Sequence, residues 1–263
     1  MTVKLFNDDC LRVMRDIESG SIDAIITDPP YYSTDLHFDK APRIDYGAWL
    51  MECKRVLKPS GVLVSFCDLN LLIELRGHNV FKSTYELIWQ KTMAIGFLDA
   101  NRRPLRAHEY MLIMVDGLNS ATYNPQKTAG KPDKRQPRKA GASNVYDNDK
   151  GNTYINKTGD RHPLSVITFQ HEKSRFNTTI SQKDIRHPTQ KPLTACEWLI
   201  KTYSNEGETI LDPFAGSGSV GHGCVNFNRS FIGIELNKGY FDIASKRIED
   251  AQNELINQFG GII

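Results

Sequence analysis

The sequence predicts an α/β domain: a mostly parallel sheet covered on both faces, carrying one long insertion. Three observations predict it. Short β-branched or apolar runs alternate with stretches of helical spacing. Proline- or glycine-rich corners follow two of the runs, DPPYY after Thr27 and DPFAGSG after Leu211. The alternation breaks once, from Asn119 to about Lys183, and then resumes. A chain of 263 residues can hold one large α/β domain or a core with an insertion.

Taken in order, Ser21–Thr27 (SIDAIIT) reads as a buried strand running into a rigid turn. Asp45–Leu57 places Trp49, Leu50, Cys53, Val56 and Leu57 at helical spacing, and Lys58-Pro59-Ser60-Gly61 stops that helix. Gly61–Cys67, Tyr85–Gln90 and Tyr110–Val115 follow as strands. Lys127–Ala142 has no large apolar residue and several Pro and Gly, which predicts a flexible segment in isolation. Leu164–Phe169 (LSVITF) is apolar enough for part of the insertion to pack. Beyond it come a helix at Leu193–Tyr203, a strand at Thr209–Leu211 and a helix at Ser217–Phe227. A strand at Ser230–Leu236 and a long helix at Tyr240–Ile256 close the series.

Composition narrows the class. With 40% apolar and 24% charged residues this is the make-up of a soluble globular protein. The start MTVKLFNDDCLRVM lacks the parts of a signal peptide, and no apolar run approaches the ~20 residues of a membrane span. Five scattered cysteines without a C-x-x-C pair argue against a metal or disulfide framework and for reduced, mostly buried thiols in the cytoplasm. His162, His171 and His187 lack ligand spacing, so no metal is expected. Charge is uneven: Thr122–Gln190 carries thirteen Lys/Arg against six Asp/Glu, a surplus of seven, so the remainder is net −5 within a total of +2. A basic segment on an acidic body suits a polyanion.

Gly216–Gly221 spells G-x-G-x-x-G, and Glu235 follows Gly216 by 19 residues, as in a dinucleotide fingerprint. Only 28 residues follow Glu235, too few for a two-half dinucleotide fold, so this turn is expected to end a domain and hold one nucleoside-sized ligand. Glycines let the backbone approach a ligand closely. Amides opening the next helix suit a carboxylate or phosphate.

Upstream, Asp28-Pro29-Pro30-Tyr31 directly follows a strand. DPPY early, then HPTQKP (His187–Pro192), then DPFAGSG late, with NDDCL (Asn7–Leu11) at the start, resembles the β group of DNA amino-methyltransferases. RVLKPSGVLVSF (Arg55–Phe66) resembles the helix–strand passage after the catalytic motif in that family. The likeness covers most of the chain outside about 121–183.

It implies the Rossmann-like fold of S-adenosylmethionine-dependent methyltransferases: a catalytic half at 1–120, a target-recognition insertion at 121–186 and a cofactor-binding half at 187–263. Asp28, Pro29, Pro30 and Tyr31 would be catalytic. A carboxylate and a proline-fixed carbonyl can accept the two N–H groups of an exocyclic amine and free its lone pair, while the tyrosine ring stacks on a base extruded from the duplex. For the cofactor, the resemblance implies Asp212, Phe214, Gly216 and Gly218 at the methionine end, with Asp28 bordering the same site. It also implies Glu235 on the ribose, Asp9 and Cys10 beside the adenine ring, and Lys191 with Thr189 at the methionine carboxylate. Family members usually have Gly where Asp8 stands.

The basic run Lys127, Lys131, Lys134, Arg135, Arg138 and Lys139 is expected to meet DNA phosphates, with Arg102, Arg103 and Arg106 adding backbone contacts. Double-stranded DNA is the expected partner; a second copy of the chain and a cognate restriction endonuclease follow from the resemblance, in a bacterial or phage setting. Aspartate at the head of the motif favours N6-adenine, with N4-cytosine the alternative and an RNA or protein amino-methyltransferase further off. A nicotinamide oxidoreductase and a DNA-binding module with a decayed site are the other classes the residues leave. Cytosine C5 chemistry needs a Pro-Cys nucleophile, and none of the five cysteines follows proline.

Overall fold

The computed structural model describes residues 1–32, 42–135, 154–169 and 190–259. They include ten strands and six helices. The strands are β1 (Val3–Phe6), β2 (Ile22–Thr27), β3 (Leu57–Cys67), β4 (Ser83–Ile95), β5 (Arg106–Val115), β6 (Asp133–Arg135), β7 (Tyr154–Asn156), β8 (Val166–Phe169), β9 (Thr209–Asp212) and β10 (Ser230–Ile234). The helices are α1 (Cys10–Arg15), α2 (Tyr46–Val56), α3 (Leu69–Gly77), α4 (Leu193–Tyr203), α5 (Ser219–Asn226) and α6 (Lys238–Phe259).

Eight strands form one sheet in the order β1-β10-β9-β2-β3-β5-β4-β8. The run from β1 through β3 is parallel, β5 is antiparallel to both β3 and β4, and β8 closes the far edge parallel to β4. Alternation along the central strands splits the core in two. Ala24, Ile26, Val62, Val64, Phe66, Met111 and Ile113 face a cluster with α4, α5 and α6. Ile25, Leu63, Cys67, Leu112 and Met114 face a second cluster with α1, α2 and α3. A strand buried on both faces must be apolar throughout, which is why IDAIIT reads as a nearly continuous run.

Acidic caps open the three helices of the second face. Asp9, Asp45 and Asp68 accept backbone hydrogen bonds from Arg12 (3.0 Å), Ala48 (3.0 Å) and Leu71 (2.9 Å). The expected stop at Lys58–Gly61 takes another form: α2 passes at Leu57 directly into β3, and Lys58–Gly61 lies as an irregularity between the Leu57↔Ile22 and Val62↔Ala24 pairs. Lys58 reaches back to Asp23 (2.6 Å), holding that stretch extended.

Residues 125–164 form a separate compact unit, while 165–169 rejoin the main one, Val166–Phe169 pairing with Ile88–Lys91. Within the small unit Thr128 and Arg161 exchange backbone hydrogen bonds (3.0 and 2.8 Å), and β6 pairs with β7. Within the segment expected to be flexible, Thr128 and Asp133–Arg135 therefore have backbone partners; residues 136–142 lie outside the described residues. All five cysteines are free and buried. Among the described residues no helix is long and apolar enough to cross a membrane.

Candidate active site

Parallel strands bring their carboxyl ends to one edge of the sheet, and the motifs quoted above stand there side by side. Asn7–Cys10 follows β1, Glu235 follows β10, Asp212 ends β9 and Asp28 follows β2. From β2 the chain winds toward β3 on one side, and from β9 toward β10 on the other. Between β9 and β2 the order reverses, which is where open α/β sheets bind ligands. Thr27 donates its hydroxyl to Asp212 (2.6 Å) across that point, tying the two corners together in the interior.

The first corner is built of charge. Asp28 Oδ1 accepts from the Tyr31 hydroxyl (2.7 Å), and Oδ2 accepts from Lys191 Nζ (2.5 Å). The ammonium also faces the rings of Tyr31 (5.4 Å) and Phe66 (5.3 Å). Burial pushes the Asp28 carboxyl up, against the opposing pull of Lys191. Burial lowers Lys191, yet Asp28 and Glu109 outweigh it and raise the ammonium above its usual value. Tyr46 donates to the Pro30 carbonyl, fixing the second proline, and Tyr32 beyond Tyr31 takes a left-handed φ of 54°. Such backbone is uncommon outside glycine and clusters at functional sites.

The second corner is built of backbone. Gly216 and Gly218 have φ of 52° and 78°, and a Cβ on Gly218 would sit 2.9 Å from Ala244 Cα. Glu235 grips the turn: Oε2 accepts from Gly216 N (2.9 Å) and Oε1 from Asn237 N (2.8 Å). Asp212 accepts from Phe214 N (3.1 Å), and burial pushes its carboxyl up to about 7. Phe214 rests against Trp49, ring centroids 5.7 Å apart. Asn7 donates to the Glu235 and Leu236 carbonyls (2.8 and 3.1 Å), so the β1 end is fastened to the β10 end.

Most predicted site residues thus share one edge: Asp9, Cys10, Asp28, Pro29, Pro30, Tyr31, Lys191, Asp212, Phe214, Gly216, Gly218 and Glu235. Lys191, expected at the methionine carboxylate, donates to Asp28. Asp9 is exposed and spends one oxygen capping α1. Thr189, Arg138 and Lys139 lie outside the described residues. Arg102 and Arg103 are exposed on the turn between β4 and β5, Lys127 and Lys131 are exposed in the 125–164 unit, and Lys134 and Arg135 lie on β6. Arg106 opens β5 and donates to the His108 carbonyl (3.2 Å).

Sequence reasoning missed Thr27, Lys91 and Glu109. Glu109 carried a signal: it is a carboxylate within the β-prone run RAHEYMLIMV, whose second half is wholly buried.

Residues 22–246 match the family model described as DNA methylase, the N6/N4 methyltransferases. The chain belongs to this DNA methylase family. It is 30% identical over 266 residues to the Type II methyltransferase M.HpaI of Haemophilus parainfluenzae, covering 96% of this chain and 76% of that protein. The M1.HpyAVI–SAM complex superposes with a TM-score of 0.61 at 26% identity, over 94% of this chain and all of the other. The cytosine-N4-specific PvuII DNA methyltransferase gives 0.69 at 15% identity over 98% and 93%, a likeness of fold alone. This DNA methylase therefore has the fold of S-adenosylmethionine-dependent methyltransferases and methylates an amino group, N6 of adenine or N4 of cytosine.

Proposed function

We propose that this DNA methylase is a site-specific adenine methyltransferase acting on N6 of a base turned out of the duplex. One observation carries it: the DPPY corner and the glycine elbow meet at the reversal of strand order, joined by the Thr27–Asp212 hydrogen bond. S-adenosylmethionine is the methyl donor of this family, and bound here it would supply a methyl group on a sulfonium centre. The donor set fits it. Asp9, Asp212 and Glu235 offer carboxylate oxygens with lone pairs to spare for an exocyclic amine, an ammonium and a ribose diol. Phe214, backed by Trp49, offers an apolar wall, and Gly216 and Gly218 leave two positions of the turn without side chains.

The chain's own residues then act on the amine. Asp28 Oδ2 and the Pro29 carbonyl accept its two N–H groups and draw the nitrogen lone pair out of conjugation. Tyr31 carries the base on its ring, its hydroxyl pinned to Asp28. Asp28, whose carboxyl burial already raises, takes the proton released once the nitrogen is methylated. Holding both partners in line, in a water-poor cleft, supplies most of the rate.

Aspartate at position 28, where N4-cytosine relatives more often carry serine, supports adenine. The likeness to a cytosine-N4 enzyme keeps cytosine as the second reading. Residues 1–120 and 187–263 serve as catalytic and cofactor halves, and 121–186, with the compact 125–164 unit at its centre, as the target-recognition region. Lys127, Lys131, Lys134, Arg135, Arg138 and Lys139, with Arg102, Arg103 and Arg106, meet phosphates and set register rather than sequence. A homodimer, a cognate endonuclease and a bacterial cytoplasm complete the reading. The test is to incubate the protein with tritiated S-adenosylmethionine and DNA from a methylation-deficient host, then digest and identify the labelled nucleoside. Labelled N6-methyldeoxyadenosine is expected; labelled N4-methyldeoxycytidine would move the assignment to cytosine.

A further inference from the structure

Behind Asp28 stand two charged side chains that the reaction above does not use. Glu109, on β5, has a side chain only 12% exposed, and its Oε1 accepts from Lys91 of β4. Its Oε2 is buried, receives no hydrogen bond among the described residues, and lies 3.5 Å from Lys191 Nζ. Lys191 meanwhile sits 2.5 Å from Asp28 Oδ2. One ammonium thus stands between two carboxylates, tight on one and loose on the other.

That arrangement poses a problem for the reaction. With Tyr31 on Oδ1 and Lys191 on Oδ2, each oxygen of Asp28 already accepts one hydrogen bond before any base arrives, and the one on Oδ2 comes from a cation. An ammonium on Oδ2 also drains the negative charge that an amine N–H would seek there. Pushing Lys191 off a buried carboxylate into a site without a partner is strongly disfavoured. Glu109 Oε2 is such a partner. A shift of about 0.7 Å would shorten the 3.5 Å approach to the length of a charge-assisted hydrogen bond.

We propose that Glu109 is a positioning residue that draws Lys191 off Asp28 as the target amine enters, leaving Oδ2 to accept the amine's N–H. The proposal rests on the reading of Asp28 as the amine's acceptor. No covalent bond changes in the exchange. Asp28, Glu109, Lys191 and Lys91 sum to zero charge before and after it, so charge moves within the cluster and none is created. Arg106 also faces Glu109; Asp212 and the Cys67 and Cys196 thiols are further titratable groups that interact with Asp28. Burial pushes the Glu109 carboxyl up, but Lys191 and Lys91 together hold it below its ordinary value, so the receiving carboxylate is ionised.

The experiment measures single-turnover transfer of tritiated methyl from S-adenosylmethionine to DNA from a methylation-deficient host, across pH, with cofactor affinity by calorimetry. Glu109→Gln should slow transfer by roughly ten- to a hundredfold, the range seen when a group supporting a primary ligand is lost. It should leave cofactor affinity within about twofold and shift the acid limb of the rate profile to lower pH. The sign follows from charge: with Glu109 neutral, Lys191 stabilises ionised Asp28 unshared, and its pKa falls. Glu109→Asp, which keeps the charge, should hold the wild-type limb and recover part of the rate. A wild-type rate in Glu109→Gln, or a slower rate with an unshifted limb, would overturn the proposal. If Glu109→Gln does not fold, Glu109→Asp decides: a lowered rate on the wild-type limb supports the exchange, and a wild-type rate sinks it. Asp28→Ala is the control. If it is inactive, the Asp28 reading stands whatever Glu109 does; if it is active, that reading fails first.

Discussion

The two corners of the site hold their carboxylates by different means. At the glycine elbow, Asp212 and Glu235 accept from backbone amides, and those of Phe214 and Asn237 lie only two residues away. At the DPPY corner, Asp28 depends on Lys191, 163 residues further along, and Lys191 in turn lies near Glu109. The elbow is a locally encoded device: glycines with positive φ and an acid that grips their amides. The corner is a tertiary one, in which one carboxylate is balanced by side chains from β4, β5 and the entry to α4. Charge is adjustable and backbone is not. In the proposed reaction, the group that accepts a proton thus sits where its charge can be shifted, and the group that holds a ligand sits where the geometry is fixed.

Four variants would break or sharpen that contrast. The largest effect is expected at Asp28→Ala, which removes the proposed acceptor of the amine: methyl transfer should fall by about a thousandfold or more, while calorimetric affinity for S-adenosylmethionine stays nearly intact. Lost cofactor affinity there would mean that the corners are not separable. Gly218→Ala strikes the elbow alone. Its φ of 78° and the 2.9 Å approach to Ala244 Cα should cost about 1–3 kcal/mol of stability in thermal unfolding and weaken cofactor binding.

Thr27→Val cuts the link between the corners and should cost about 1–2 kcal/mol. The loss should be greater at pH 8.5 than at pH 5.5 by chemical denaturation. Asp212 has a folded pKa of about 7, above its ordinary value of 3.8, so the folded state keeps a proton that the unfolded state has released and stability falls as pH rises through that window. Without the Thr27 hydroxyl the ionised form is disfavoured further, and the decline steepens. The smallest effect is expected in the 125–164 unit: Lys127→Ala with Lys131→Ala should leave cofactor affinity unchanged. The slope of log DNA affinity against log salt should drop by about one for each phosphate that is no longer neutralised, in a fluorescence-anisotropy titration.

Much of this was legible in the residues. IDAIIT before DPPY could only be a strand buried on both faces, and the helix at Leu193–Tyr203 has the predicted bounds. The small unit was harder to bound. LSVITF was apolar enough to pack, but nothing in six residues says that it pairs with β4 rather than staying with the insertion. Lys58–Gly61 looked like a helix stop because Pro and Gly usually are; here Leu57 was already extended, and the same residues became an irregularity in β3. The Lys191–Asp28 pair was not legible, because a sequence shows which side chain carries charge but not which opposite charge the fold brings nearest.

By itself the sequence determined the strand-and-turn chemistry of both motifs, because periodicity, proline and glycine act over a few residues. Only the tertiary structure decided that β1, from the start of the chain, lies against β10 from near its end, so that β9 and β10, which flank the glycine turn, are interior strands of the sheet. It also decided that Lys91, Glu109, Lys191 and Asp28 form one electrostatic unit. Charge interacts through space, and the distances that govern it are set by the packing of the whole sheet rather than by spacing along the chain.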